Sequence, residues 1–191
     1  MLVYLRPAVI LVAMFTVLTG LIYPLSLTGI AQLLVPSQAN GSLLTRNGAV
    51  IGSALIGQRF ASDRYFHGRP SSAGDGYDAA ASSGSNLGPT SEKLIRRAKA
   101  AIVELRAEGA TSIPSDAVTT SGSGLDPDIS PDYAEQQAIR VARARSVPVD
   151  RIRSIVAAAS KGRFLGVVGE PRINVLELNL ALDAELTRAP G

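Results

Sequence analysis

Residues 7–35 read PAVILVAMFTVLTGLIYPLSLTGIAQLLV. No charged side chain occurs between Arg6 and Arg46. A helix crossing the hydrocarbon core of a bilayer needs about 20 predominantly apolar residues, and this run exceeds that. A helix also satisfies its own backbone hydrogen bonds in lipid. The rival reading is a cleaved export signal, whose apolar region spans about 7–15 residues and ends at a small-x-small site. Here the apolar run continues through Tyr23, Leu27 and Leu34 with no Ala-x-Ala pattern, so it reads as an uncleaved anchor. Arg6 and the amino terminus flank one end, and the other end has no basic residue before Arg46. The positive-inside rule then places residues 1–6 in the cytoplasm, a transmembrane helix over 7–35, and residues 36–191 outside.

Within the helix, Thr16, Thr19, Gly20, Tyr23 and Ser26 recur at three- to four-residue spacing. Small and hydroxyl residues on one stripe allow close helix–helix approach, and Thr16 with Gly20 forms a small-xxx-small pair. These five are candidate partner-facing residues. Pro24 removes a backbone donor and predicts a kink.

Beyond the anchor, a chain of 191 residues leaves room for one soluble domain. The absence of cysteine excludes disulfides, thiolate nucleophiles and cysteine-ligated metals. The one histidine, His67, excludes multi-histidine metal sites and leaves little for a Ser-His-Asp triad. Net charge is +3, but the basic residues do not form one run. Arg96, Arg97 and Lys99 lie on one helical stretch. Arg140, Arg143, Arg145, Arg151 and Arg153 lie on two others, interleaved with apolar residues. Solvated helix faces account for them better than a nucleic-acid surface does. No Walker loop is present.

The predicted organisation is α+β. Residues 36–47 read as a polar linker, and 49–60 as one or two strands. Residues 61–89 lack periodicity yet carry aromatic residues, the mark of a functional loop rather than a disordered one. Thr90 is placed to cap a helix running to Glu108, with Leu94, Ile95, Ala98, Ile102 and Leu105 inward and Gly109 ending it. After an irregular stretch from 113 to 129, Ser130 with Pro131 and Asp132 starts a helix to about Ser146. Pro148 opens another, with Ile152, Ile155, Val156 and Ala159 inward, closing near Gly162. Phe164–Gly169 reads as a strand. The last element alternates leucines at 176, 178, 180 and 182, a strand period, but Asn174 with Glu177 resembles a capping box; the expectation is a helix over 174–187.

Chemistry is sparse. Residues 119–128, TTSGSGLDPD, combine glycines and hydroxyls that can turn backbone N–H groups into an anion nest. Asp126 and Asp128 resemble the start of a calcium loop, but Pro127 lies between them and the twelfth position is Gln137 rather than Glu. A structural loop is the simpler reading. The residues assign no catalytic group and no metal site.

Many short segments together carry a resemblance. They are LRPA at 5–8, TGxxYP at 19–24, QANGSL at 38–43 and GSxLIGQ at 52–58. YFxGRPS at 65–71, SNLGPT at 85–90, SGSGLDP at 121–127 and ISP at 129–131 follow. RVAxAR at 140–145 and GEPRxNVLxLNxALD at 169–183 complete the set. In register over nearly the whole chain, these segments resemble the KdpC family, the C subunit of the bacterial potassium-transporting Kdp ATPase. The resemblance implies a non-catalytic accessory subunit in the bacterial inner membrane. Its implied partners are a KdpA-like potassium-selective channel subunit, a KdpB-like P-type ATPase subunit and a small KdpF-like membrane subunit. The chain lacks the Asp-Lys-Thr-Gly phosphorylation motif of such pumps. The family is described as a catalytic chaperone that raises the pump's affinity for ATP, and its nucleotide contacts fall here on Ser121, Gly122, Ser123, Gly124 and Gln137. Potassium is the transported ion of the complex. The orientation above puts those five residues outside the cell, so any effect on ATP is indirect. Acidic loops bearing Asp75, Asp78, Asp126 and Asp128 then suit a cap over the external mouth of the channel subunit, where they would attract cations. The alternative is a secreted or membrane-anchored hydrolase or ligand-binding protein unrelated to transport.

Overall fold

A computed structural model describes residues 2–187. The chain folds as two units, Met1–Ile51 and Gly52–Gly191.

The first unit holds a long apolar helix, in which Val3–Leu34 is long and apolar enough to span a bilayer. It consists of α1 (Leu2–Val17), a π-helical turn (Leu18–Ile22) and α2 (Tyr23–Leu34). The π turn lies just before Pro24, the residue at which a kink is predicted. After one short helical turn, α3 (Pro36–Ala39), strand β1 (Leu43–Arg46) pairs with β2 (Ala49–Ser53). The predicted linker over 36–47 is therefore partly structured. Asn47 and Gly48 both adopt positive φ, +52° and +78°, as a two-residue hairpin turn requires. The strand signal at 49–60 ends at Ser53.

In the second unit, α5 (Pro131–Arg145), α6 (Val149–Ala159) and α7 (Val175–Thr187) enclose the core. Phe66, Val141, Ile152, Ile173, Leu178 and Leu182 are fully buried. Burial of side chains this size contributes roughly 1.5–3 kcal/mol each. A two-residue antiparallel pair, β3 (Asp128–Ile129) with β4 (Ile173–Asn174), joins Asp128 to Asn174 and Ile129 to Ile173. The Ser130 cap is present: its Oγ accepts the Tyr133 N–H at 3.1 Å. The expected helix begins one residue later, at Val175, where Asn174 Oδ1 accepts the Glu177 N–H at 3.0 Å and starts α7. The leucine alternation does not specify a strand, since Val175, Leu178 and Leu182 share one buried helical face.

Three expectations are corrected. Helix α4 (Glu92–Ala107) starts after Ser91, not at a Thr90 cap, and Ser91 makes no side-chain capping bond. None of its residues is fully buried, and Ile95 is 43% exposed. Of its predicted inward residues, Leu105 packs against the edge of the core cluster. Phe164–Gly169 is a tight turn rather than a strand: Phe164 and Val168 exchange N–H···O=C bonds of 2.8 and 3.0 Å around it. Phe164, Leu165, Val167 and Val168 project from this tip, each more than 60% exposed. Apolar content alone reads as a buried strand, but with no neighbouring strand to pair with, the segment closes on itself.

Candidate functional site

The irregular segment from His67 to Tyr77 forms one wall of a cavity of about 400 Å³. Helix α5 supplies Tyr133, Gln137 and Arg140, and α4 with its C-cap supplies Glu104 and Glu108. Because 65–67 has no strand partner, its backbone polar groups need other acceptors and donors. Two side-chain amides provide them. Gln137 Oε1 accepts the His67 N–H at 2.7 Å, and its Nε2 donates to His67 O at 3.1 Å. Asn179, from α7, does the same for Phe66, at 2.8 and 2.9 Å. Neighbouring charges brace the clamp. Arg140 donates to Gln137 Oε1 at 2.8 Å and to Tyr65 O at 3.2 Å. Arg145 pairs with Asp183 at 2.8 Å, with both side chains largely buried, and Tyr65 Oη donates to Asp183 at 3.1 Å.

The rest of the wall is held from behind. Ser71 Oγ accepts the Tyr77 N–H at 2.8 Å and donates to Gly124 O at 2.6 Å. Tyr77 Oη donates to Arg69 O at 2.5 Å. Gly68 has no Cβ to spare here, since one would sit 2.3 Å from Tyr77 Oη. Burial raises the Tyr77 and Tyr133 hydroxyls to about 12, so both remain protonated donors. Burial, and then the Arg140 charge, lowers His67 below its usual value. Its Nε2 faces Ser62 O at 3.1 Å.

The expected site residues do not converge. Gln137 lines the cavity, with its carbonyl oxygen and its amide both engaged on protein groups. Residues 121–124 lie behind the wall, against 71–84. The Gly124 N–H is taken by Ser121 Oγ at 2.9 Å and the Leu125 N–H by Ser123 Oγ at 3.1 Å. The Ser123 carbonyl accepts from Ser83 N and Ser82 Oγ. Two N–H groups that an anion nest would offer are thus closed internally. Asp126 and Asp128 do not form a cation loop either: they bind Arg69 at 2.8 Å and Arg172 at 3.1 Å. Asp78 caps the Ala80 N–H, and Asp75 lines the cavity. In the apolar helix, Thr16, Thr19, Gly20, Tyr23 and Ser26 lie on and around the π turn, exposed in the single chain.

The clamp residues Asn179 and Arg140 escaped the sequence reading. A signal existed: Gln137 interrupts an otherwise apolar stripe of α5 (Tyr133, Ala134, Ala138, Val141), and Asn179 interrupts that of α7. A polar amide on a buried stripe implies a buried backbone partner.

The KdpC family profile, described as K+-transporting ATPase, c chain, matches residues 5–184. The chain belongs to the KdpC family. It is 59% identical to the potassium-transporting ATPase KdpC subunit of Caulobacter vibrioides over 96% of this chain and 94% of the relative. It is 56% identical to that of Rhodopseudomonas palustris, over 96% and 98%. Against the Gemmatimonas aurantiaca subunit it is 54% identical, over 100% and 98%. The match includes both the apolar helix and the clamp residues.

Proposed function

We propose that the chain is the accessory, non-catalytic subunit of an ATP-driven potassium importer, anchored by its one span with residues 1–6 in the cytoplasm and 36–191 outside. The observation that carries this reading is the end-to-end family match over residues 5–184. The site's chemistry agrees: its polar groups hold backbone together rather than converge on a reacting atom. The exposed apolar tip at Phe164–Val168 supports an assembly role, since a contiguous projecting apolar patch marks an interaction surface. The subunits it would meet are a channel-like potassium-selective protein, a P-type pump and a small membrane subunit, with the domain capping the channel's external mouth.

Residues 121–124 and Gln137 then influence ATP use indirectly, through the shape of the domain. The Gln137 amide and the Gly124 and Leu125 N–H groups are already bonded within the chain, and an external domain does not meet cytoplasmic ATP. Asp126 and Asp128 act as braces for Arg69 and Arg172 more than as a cation funnel.

Topology is the deciding test. Alkaline phosphatase and, separately, a fluorescent protein that matures only in the cytoplasm are fused after Gly191. Active phosphatase with a dark reporter is expected. A fluorescent reporter with inactive phosphatase would reverse the orientation and restore direct nucleotide contact as the better reading.

A further inference from the structure

Near its middle the membrane helix breaks its own hydrogen-bond ladder. In the π turn Leu18–Ile22, the Tyr23 N–H reaches back five residues to Leu18 O, past Thr19. The next residue, Pro24, has no N–H. The Thr19 carbonyl therefore lacks both helical donors, the amides four and five residues on. Residues 22 and 23 are Ile and Tyr, so no short hydroxyl from the following turn replaces them. The Thr19 hydroxyl donates its proton to Phe15 O at 2.6 Å, which leaves that oxygen with acceptor lone pairs alone. Thr19 thus presents two acceptors and no donor.

Its position makes this matter. Thr19 falls at the middle of the Val3–Leu34 span, where no water is available and an unpaired carbonyl costs several kcal/mol. Acyl chains carry no donors. A symmetric pairing with a second copy would set acceptor against acceptor at this level. Beside it, Gly20 has open space where a side chain would project, which permits close backbone approach.

We propose that the π turn is a docking point for a transmembrane helix of a neighbouring subunit, whose Asn, Gln, Ser, Thr, Tyr or Trp side chain donates a hydrogen bond to the Thr19 carbonyl. The inference rests on the reading of the chain as an ATPase subunit.

Two measurements on the full chain test it. Pro24→Ala restores an amide and lets the helix close, removing the vacant acceptor without threatening the fold. Retention of the variant on the co-expressed complex is expected to fall roughly three- to tenfold, the range of one interhelical hydrogen bond. Separately, a ¹³C=¹⁸O label at the Thr19 carbonyl is read by infrared spectroscopy in bilayers. The band is expected at the free-carbonyl position for the dilute chain alone and at lower wavenumber in the complex. An intact wild-type complex with an unshifted band overturns the inference alone. So do undiminished retention of Pro24→Ala and a band already low in the chain alone, the mark of self-association or water. Failure of the wild-type chain to co-purify with any pump subunit overturns the functional reading, and this inference with it.

Discussion

Gln137 illustrates how one side chain can be read two ways. By family resemblance it is a nucleotide contact, whereas in the fold its amide fastens His67 and receives Arg140. These readings predict different damage. Gln137→Ala leaves the His67 N–H and C=O unpaired in a half-buried wall, at a cost of about 1–3 kcal/mol for such groups. Chemical denaturation of the purified full chain is expected to show that loss. The ATP half-saturation of the assembled pump is expected to change no more than it does for Asn179→Ala, the matching lesion on Phe66. A selective loss of ATP affinity in Gln137→Ala, with stability intact, would restore the nucleotide role.

The loop 121–124 makes the same point for an element. Its glycines look interchangeable in sequence and are not so in space. Gly124 has φ +68°, and a Cβ there would lie 2.6 Å from Ser83 O and 2.7 Å from Ala73 N. Gly122 has open space around it. Gly124→Ala is expected to destabilise the domain by roughly 1–2 kcal/mol from the left-handed backbone alone, with more from the backbone clash. Gly122→Ala is expected to be nearly neutral in thermal unfolding. Equal effects at both positions would point instead to a loop whose whole backbone faces a ligand. Among the helices, strong end signals were legible: Ser130-Pro131 starts α5, and Gly109, at φ +99°, follows the last turn of α4. The start of α4 was misplaced because Thr90 and Ser91 are both plausible caps, and neither local pattern states which residue turns into the helix.

At the scale of the molecule, stability is tied to pH through the one histidine. His67 is held below its usual 6.5 by burial first and by Arg140 second, partly offset by its bond to Ser62 and by the charge of Asp63. When pH falls through 6.5, the unfolded chain takes up a proton that the folded chain does not. Stability therefore declines with falling pH until the lower folded value is passed. Asp128, raised by burial, acts with the opposite sign in the carboxylate range. Urea denaturation at pH 7.5, 6.5 and 5.5 is expected to show this decline in the wild-type chain and a shallower one in His67→Asn. Parallel profiles would assign the decline to other groups.

The sequence by itself determined the long apolar helix, because twenty-nine consecutive residues, mostly apolar and none charged, suit a bilayer interior. It also determined the helices α5 and α6, whose start signals and periodicities are local, while for α7 the leucine alternation competed with the Asn174–Glu177 capping box. Tertiary structure alone decided the rest. That 65–67 is held by side-chain amides rather than by a strand depends on Gln137 and Asn179 meeting it from about 70 and 113 residues away. The exposure of Phe164–Val168, the internal closure of the 121–124 loop and the half-exposed α4 likewise depend on which surfaces lie alongside. Local propensity reports what a segment prefers, and hydrogen-bond partners distant in sequence determine what it is left to do.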